Sequence, residues 1–278
     1  MENTYGVLYL VATPIGNLDD ITMRALRVLN DVDFIAAEDT RHTLKLLNHF
    51  DIQKPMISYY EHNIRERGEK IIKKLKEGQS AALVSDAGTP AISDPGEDIV
   101  RLCAEENIRV IPIPGAVAAI NALICSGLST SRFSFEGFLS VNKKSRQEHL
   151  ESVKNSQYTL IFYEAPHKLM RTLTDMLECF GNRKISVCRE ITKKYEEFLR
   201  TDLEGAIKHF TESAPKGEFV LVIEGAKPSE NTSEFDNMTV LEHINYYIES
   251  GLDKKDAMKK VANDRGVSKR EIYAETIK

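Results

Sequence analysis

Three short clusters of acidic, basic and small residues each follow an apolar run. They are Thr13-Pro14-Ile15-Gly16-Asn17, Glu38-Asp39-Thr40-Arg41 and the stretch from Ser85 to Asp94. A fourth, Glu61-His62-Asn63, follows a shorter run in the same way. If the runs are parallel strands, all four clusters fall on one edge of a sheet. Carboxylates, an imidazole and a guanidinium beside a glycine loop then converge on a polar ligand. Each cluster alone has a local explanation: Asp39 and Arg41 make an ion pair, and Asp94 caps a helix. The shared edge is what turns them into a site.

The glycines exclude several ligands. No G-x-G-x-x-G follows the first apolar run and no lysine follows a glycine loop in the phosphate-binding manner. No G-x-S-x-G elbow is present. No group of His, Asp or Glu has metal-ligand spacing, so no metal is expected. The residues alone reach an α/β protein with a small-molecule site.

The elements that must hold these clusters follow from periodicity. Strands are expected at Val7–Ala12, Phe34–Ala37, Met56–Tyr59, Ala81–Val84 and Arg109–Ile113, with helices between them, which implies a mostly parallel sheet. The first helix is expected to run from the Thr13 turn through Leu29. Thr40 is expected to cap the second helix, and Asn63 with Glu66 the third. The focal segment, AALVSDAGTPAISDPG over 81–96, reads as buried strand, small-residue loop and helix start. There Asp94 is the expected N-cap, Pro95 the first helical residue and Glu97 the capping-box partner. After Pro114-Gly115 comes a small-residue helix, Ala116–Ser126. Strands at 132–137, 159–163, 184–188, 197–201 and 219–224, with helices through about Lys154 and from Pro166 to Glu178, complete a mixed sheet. A polar, basic connection over 139–146 lies among them.

Residues 1–114 are thus expected to form an N-terminal α/β domain and 115–226 a second one. Residues 227–238 read as a linker rich in Pro, Ser and Asn. Residues 239–278 form a helical module of helix-turn-helix type, with Ser268 and Glu271 as a capping box. From Asp253 to Lys278 there are eight Lys or Arg against five Asp or Glu. That modest excess fits RNA contact, and equally a capping or dimerising appendage.

Composition bounds the partners. The chain has 278 residues, 42% of them hydrophobic, and a net charge of −5, which argues against coating nucleic acid by bulk charge. Four cysteines in core-like segments, with neither zinc nor redox spacing, point to a reducing, cytoplasmic setting. No apolar run approaches the roughly 20 residues that span a bilayer. The N-terminus lacks the basic region of a signal peptide.

Four motifs taken together resemble one family. Leu10-Val-Ala-Thr-Pro-Ile-Gly-Asn-Leu18, Ala36-Ala-Glu-Asp-Thr-Arg-His42, Leu83-Val-Ser-Asp-Ala-Gly-Thr-Pro90 and Leu160-Ile-Phe-Tyr-Glu164 occur in the order and spacing of the bacterial ribosomal small-subunit methyltransferase I family. Its members are 16S rRNA cytidine 2′-O-methyltransferases within the tetrapyrrole methylase superfamily. The resemblance runs from about Gly6 to Gly225, and the helical tail also fits. It implies two α/β domains with S-adenosylmethionine between them, a homodimer and no metal. It implies methylation of a cytidine ribose in the decoding region of the small ribosomal subunit. It assigns cofactor contacts to Ser85, Asp86, Ala87 and Gly88, to Val117 and Ala118, to Phe162 and Tyr163, and to Leu221 and Val222. Ala116-Val117-Ala118 departs from the bulkier or Cys-containing stretch that other members often carry.

A ribose hydroxyl is a poor nucleophile while protonated, so a base or a nearby cation is expected to help by roughly 10²–10⁴-fold. Glu38, Asp39 and His62 are the candidate bases or orienting groups, together with Asp86, and Arg41 is the positive partner. Lys143, Lys144 and Arg146, then Lys254, Lys255, Lys259, Lys269 and Arg270, are the candidate phosphate contacts. The alternatives are a methylase of the same fold acting on a tetrapyrrole or a protein side chain, and a non-catalytic RNA-binding or ribosome-assembly factor. The basic connection and the tail disfavour the tetrapyrrole reading, and the intact Ser85–Pro90 loop disfavours the non-catalytic one.

Overall fold

The computed structural model describes residues 5–60, 64–227, 235, 238–265 and 267–276. The chain forms two compact units, Met1–Ala226 and Lys227–Lys278.

The first unit holds two sheets. One is made of β1 (Val7–Val11), β2 (Phe34–Ala37), β3 (Met56–Ser58), β4 (Ala81–Val84) and β5 (Arg109–Ile113). All five are parallel, in the order β3-β2-β4-β1-β5. Every residue of β2 and β4 is buried, as befits strands covered on both faces. Helices α1 (Met23–Asp31) and α2 (Thr40–His49) cover one face through Ala25, Leu29 and Leu47. Helices α3 (Ile64–Lys76) and α4 (Gly96–Glu105) cover the other through Ile71, Leu75, Ile99 and Cys103. The neighbours β1 and β4 therefore send their chains to opposite faces. A crevice opens at their carboxyl ends, where open α/β sheets bind ligands.

Three helix starts around the first sheet differ from expectation. A single 3₁₀ turn, Leu18–Asp20, follows the Thr13 loop before Thr22 caps α1. Asp39, not Thr40, caps α2: its carboxylate accepts from Arg41 N, and Thr40 is already helical. Helix α4 begins at Gly96 without a capping box, because Asp94 Oδ1 is shared between Gly96 N (2.7 Å) and Ala91 N (2.9 Å). The Asn63 cap expected for α3 lies outside the described residues.

The second sheet contains β6 (Phe133–Phe138), β7 (Thr159–Glu164), β8 (Lys184–Arg189), β9 (Glu197–Asp202) and β10 (Phe219–Ile223). Its order is β6-β7-β10-β8-β9, parallel only between β6 and β7, so the sheet is mixed as expected. Helix α5 (Ala118–Ser126) packs on one face through Ala119, Ala122 and Leu123. On the other lie α6 (Lys143–Val153), α7 (Pro166–Phe180) and α8 (Leu203–Glu212). Helix α8 has no counterpart among the expected elements. Asp202 caps it by accepting from Gly205 N, and Leu203, Ala206 and Phe210 are its buried stripe.

In the second unit, α9 (Val240–Glu249), α10 (Lys254–Asp264) and α11 (Lys269–Glu275) enclose a small core of Ile244, Tyr247, Met258, Val261 and Ile272. The capping box of Ser268 and Glu271 forms, and Thr239 with Glu242 makes another at the start of α9. Gly266 of the expected turn and most of the expected linker lie outside the described residues.

Candidate functional site

The loops after β1, β2 and β4 brace one another. Thr13 N donates to Gly88 O (2.9 Å) and Gly88 N donates back to Thr13 O (3.1 Å). Gly88 has φ +82°, a conformation costly for any residue with a Cβ. Asp39 N donates to Asp86 Oδ1 (3.0 Å), and Asp86 N donates to Glu38 Oε2 (3.3 Å). Each acidic side chain thus fixes the other loop's backbone. Ala91 (φ 69°) and Ser93 (φ 65°) hold left-handed conformations without being glycine, so this loop stores strain next to the crevice.

The second sheet supplies the opposing wall. Tyr163 Oη accepts from Ala119 N (3.2 Å), tying the end of β7 to the start of α5. Glu164, 3% exposed, accepts from Thr172 Oγ1 (2.5 Å) and Ala165 N (2.8 Å). Lys193 Nζ donates to Glu190 (2.9 Å) and Glu218 (2.7 Å). Burial works against its charge, but the two carboxylates outweigh burial and raise its pKa. Room for Glu190 exists because residue 217 is glycine: at φ +88°, a Cβ there would stand 2.5 Å from Glu190 Cγ.

Between these walls lies a cavity of about 630 Å³. Its floor is Ser85, Asp86, Ala87 and Gly88. Val117, Ala118, Tyr163, Phe138, Ile191 and Val220 give it apolar surface, while Glu38, Asp86, Asp94, Glu164 and Glu218 make its charge mostly negative. Burial pushes the Glu38 carboxyl above the usual carboxylate range. Its neighbours Asp86, Asp94 and Asp39 add to this, and the bond from Asp86 N opposes it. Asp39 behaves oppositely: the hydrogen bonds from the Arg41 side chain and backbone hold its carboxyl well below that range.

The residues singled out in the sequence divide accordingly. Ser85–Gly88, Val117, Ala118, Tyr163 and Glu38 line the cavity. Asp39 and Arg41 form a bidentate pair at the start of α2 and stand outside it, with the Arg41 side chain 89% exposed. His62 lies outside the described residues. Phe162 and Leu221 are register partners packed in the core against α6, α7 and α8 and are not among the residues that line the cavity. Val222 is on the correct face but sits deeper than Val220, under α5. Lining positions on β10 are Phe219 and Val220 instead.

Arg146 is not a phosphate contact. It is 2% exposed, pairs with Asp175 (2.5 Å) and donates to Ser140 O and Val141 O. Lys143, Lys144, Lys254, Lys255, Lys259, Lys269 and Arg270 are exposed. Lys193, Glu218 and His167 also line the cavity, although the sequence did not single them out, as does Glu164, which it gave only as the end of a family motif. Glu190-Ile-Thr-Lys193, a charged stretch after a strand end, was the available signal.

S-adenosylmethionine carries an adenosine, a carboxylate and two positive centres, and the residues present suit it. The volume falls within the roughly 300–1,000 Å³ of small-molecule sites. Apolar surface is available for the adenine ring. Asp94 Oδ2 is buried without a partner at the cavity wall, an acceptor awaiting a donor. The surplus of carboxylates favours a cationic ligand.

Residues 7–207 match the family described as tetrapyrrole (corrin/porphyrin) methylases. The chain is 54% identical over 270 residues to a protein of Halalkalibacterium halodurans named ribosomal RNA small subunit methyltransferase I. The match covers 96% of this chain and 93% of that one. To a Synechocystis sp. protein of the same name it is 52% identical over 269 residues, 96% of each chain. Among solved structures it is similar to the uroporphyrin-III C-methyltransferase from Thermus thermophilus complexed with S-adenyl homocysteine. The TM-score is 0.55 at 14% identity, over 78% of this chain and 97% of that one. Likeness at that identity speaks for the fold alone.

Proposed function

The chain belongs to the ribosomal RNA small subunit methyltransferase I family of the tetrapyrrole methylases, and from that premise we propose that it methylates the ribose 2′-oxygen of a cytidine in the decoding region of small-subunit RNA. The observation that carries the reading is the cavity between the two sheets, where the strand-end loops of both converge and where Glu38 is half-buried among carboxylates. In this reading Ser85–Gly88, Val117, Ala118, Tyr163 and Val220 hold S-adenosylmethionine. When bound, the cofactor supplies an electrophilic methyl group on a sulfonium.

The rest falls to this chain's own side chains. Glu38 accepts the proton of the ribose hydroxyl. Burial raises its pKa, which makes it a better proton acceptor than an ordinary carboxylate. Asp39, held ionised by Arg41, is too weak a base for that role. It positions the Asp86 loop through its backbone N–H. The Asp86 N–H in turn orients Glu38. Apolar walls at Phe138, Ile191 and Val220 exclude water from the reacting atoms. The active form in this reading is a homodimer that acts on the small subunit in the cytoplasm without a metal. Exposed Lys143, Lys144, Lys254, Lys255, Lys259, Lys269 and Arg270 meet RNA phosphate in it.

Incubating the protein with labelled S-adenosylmethionine and unmodified small ribosomal subunits tests the reading. Label is expected in the RNA and absent from a porphyrinoid offered in the same assay. Label in the porphyrinoid alone would overturn it.

A further inference from the structure

Helix α2, over Thr40–His49, carries Arg41, His42, Lys45 and His49 and no carboxylate. Among the described helices it is the one with cationic residues and no acidic residue. His42, Lys45 and His49 recur at intervals of three and four, which sets them along one face. Thr43 and Leu47 beside them are buried, and Thr43 lines the same cavity as those three. Among the described residues, none of the three has an ion-pair partner, whereas Arg41 is neutralised by Asp39.

That face lines a second cavity, of about 330 Å³. Its apolar wall is Pro14, Leu18 and Leu46. Its far end is Ser85 and Asp86, residues that also form the floor of the larger cavity. The two cavities therefore meet across one dipeptide. One is ringed by carboxylates, the other by an ammonium and two imidazoles with Asp86 as its one carboxylate among the described residues.

We infer that the second cavity is an RNA subsite. It receives the nucleotide adjacent in the strand to the one modified, with its phosphate on Lys45, His42 and His49 and its sugar or base against Pro14, Leu18 and Leu46. This rests on the reading that the substrate is RNA and assigns where the strand runs. The electrostatics require such a place. A polyanion led into a cavity walled by Glu38, Asp86, Asp94, Glu164 and Glu218 is repelled unless cations hold the flanking phosphate. Lys45 is a cation without an ion-pair partner among the described residues, and the imidazoles of His42 and His49 flank it as donors to phosphate. Phosphate contacts set register, and here the register delivers the neighbouring ribose to Glu38.

The full-length variant Lys45→Glu tests the subsite, with Lys45→Ala/His49→Ala as its milder form. Small ribosomal subunits are the substrate, and S-adenosylmethionine affinity is measured by calorimetry. The expected result is a KM for subunits raised about tenfold or more, the scale set by removing one charged hydrogen bond. The dependence of log kcat/KM on log salt flattens by about 0.7–1 for each phosphate no longer bound. The change in kcat is small, and cofactor affinity and melting temperature hold. Wild-type KM and salt slope in both variants, with methylation intact, would overturn the subsite alone. Loss of cofactor affinity in the variants would also overturn it, since the face would then serve the larger cavity. Failure of the unmodified protein to methylate RNA would overturn the subsite and the underlying reading together.

Discussion

At the scale of single residues, Glu38 is the most informative. A carboxyl whose folded pKa lies above its unfolded value binds protons more readily when folded. Its contribution to stability is therefore greatest below the unfolded pKa and is lost as pH rises through the folded one. Burial makes the charged form the less favoured one in this environment. Glu38→Gln is accordingly expected to lower kcat by about 10²–10⁴-fold while the melting temperature stays level or rises. S-adenosylmethionine affinity should be unchanged. In the unmodified enzyme kcat/KM should fall with decreasing pH through a value above the ordinary Glu range, because the protonated acid cannot accept the ribose proton. A melting temperature that dropped along with activity would indicate a structural role for Glu38. That Glu38 and Ser85–Gly88 line the cavity was legible because each follows an apolar run, while Tyr163 came from the family resemblance. Phe162, Leu221 and Val222, which the family resemblance assigned to the cofactor, are not among the residues lining the cavity, and for the two on β10 the strand pattern offered no check. Every residue of β10 is buried, so a strand covered on both faces shows no alternation from which to tell the cavity side from the other.

At the scale of elements, Arg146 is the clearest correction, because composition made it one of a basic run with Lys143 and Lys144. In the fold, α6 starts at Lys143, and one turn on Arg146 faces inward to Asp175 of α7. Its guanidinium also gathers Ser140 O and Val141 O, locking the β6–α6 connection. Removing one partner of a buried pair leaves the other charged and unsolvated. Arg146→Ala is thus expected to cost about 3–5 kcal/mol in denaturant unfolding. A cost under about 1 kcal/mol would place the pair among ordinary surface ion pairs. Helix α8 was illegible for another reason. It follows β9 with no loop, since β9 ends at the Asp202 that caps α8. Neither Gly nor Pro marks the boundary there.

For the whole molecule, the parallel order of the first sheet and the mixed order of the second followed from the spacing of apolar runs. What spacing could not supply was the pairing of one sheet's loops with the other's to enclose a cavity, since those contacts join residues far apart in sequence. Charge is distributed to match. With a net charge of −5, RNA binding in the proposed reading comes from local faces, and the exposed cations of the second unit are proposed as one of them. Replacing Lys254, Lys255, Lys269 and Arg270 together by Ala is expected to raise KM for small subunits and flatten the salt dependence, leaving cofactor affinity intact. An unchanged KM would make that unit a structural appendage. The central claim, ribose methylation of a cytidine, has a direct chemical readout. Small subunits methylated by the purified protein are digested to nucleosides and analysed by mass spectrometry. The expected product is 2′-O-methylcytidine at one position, present with the unmodified protein and nearly absent with Glu38→Gln. A methyl group on a base nitrogen or carbon, or on a nucleoside other than cytidine, would contradict it.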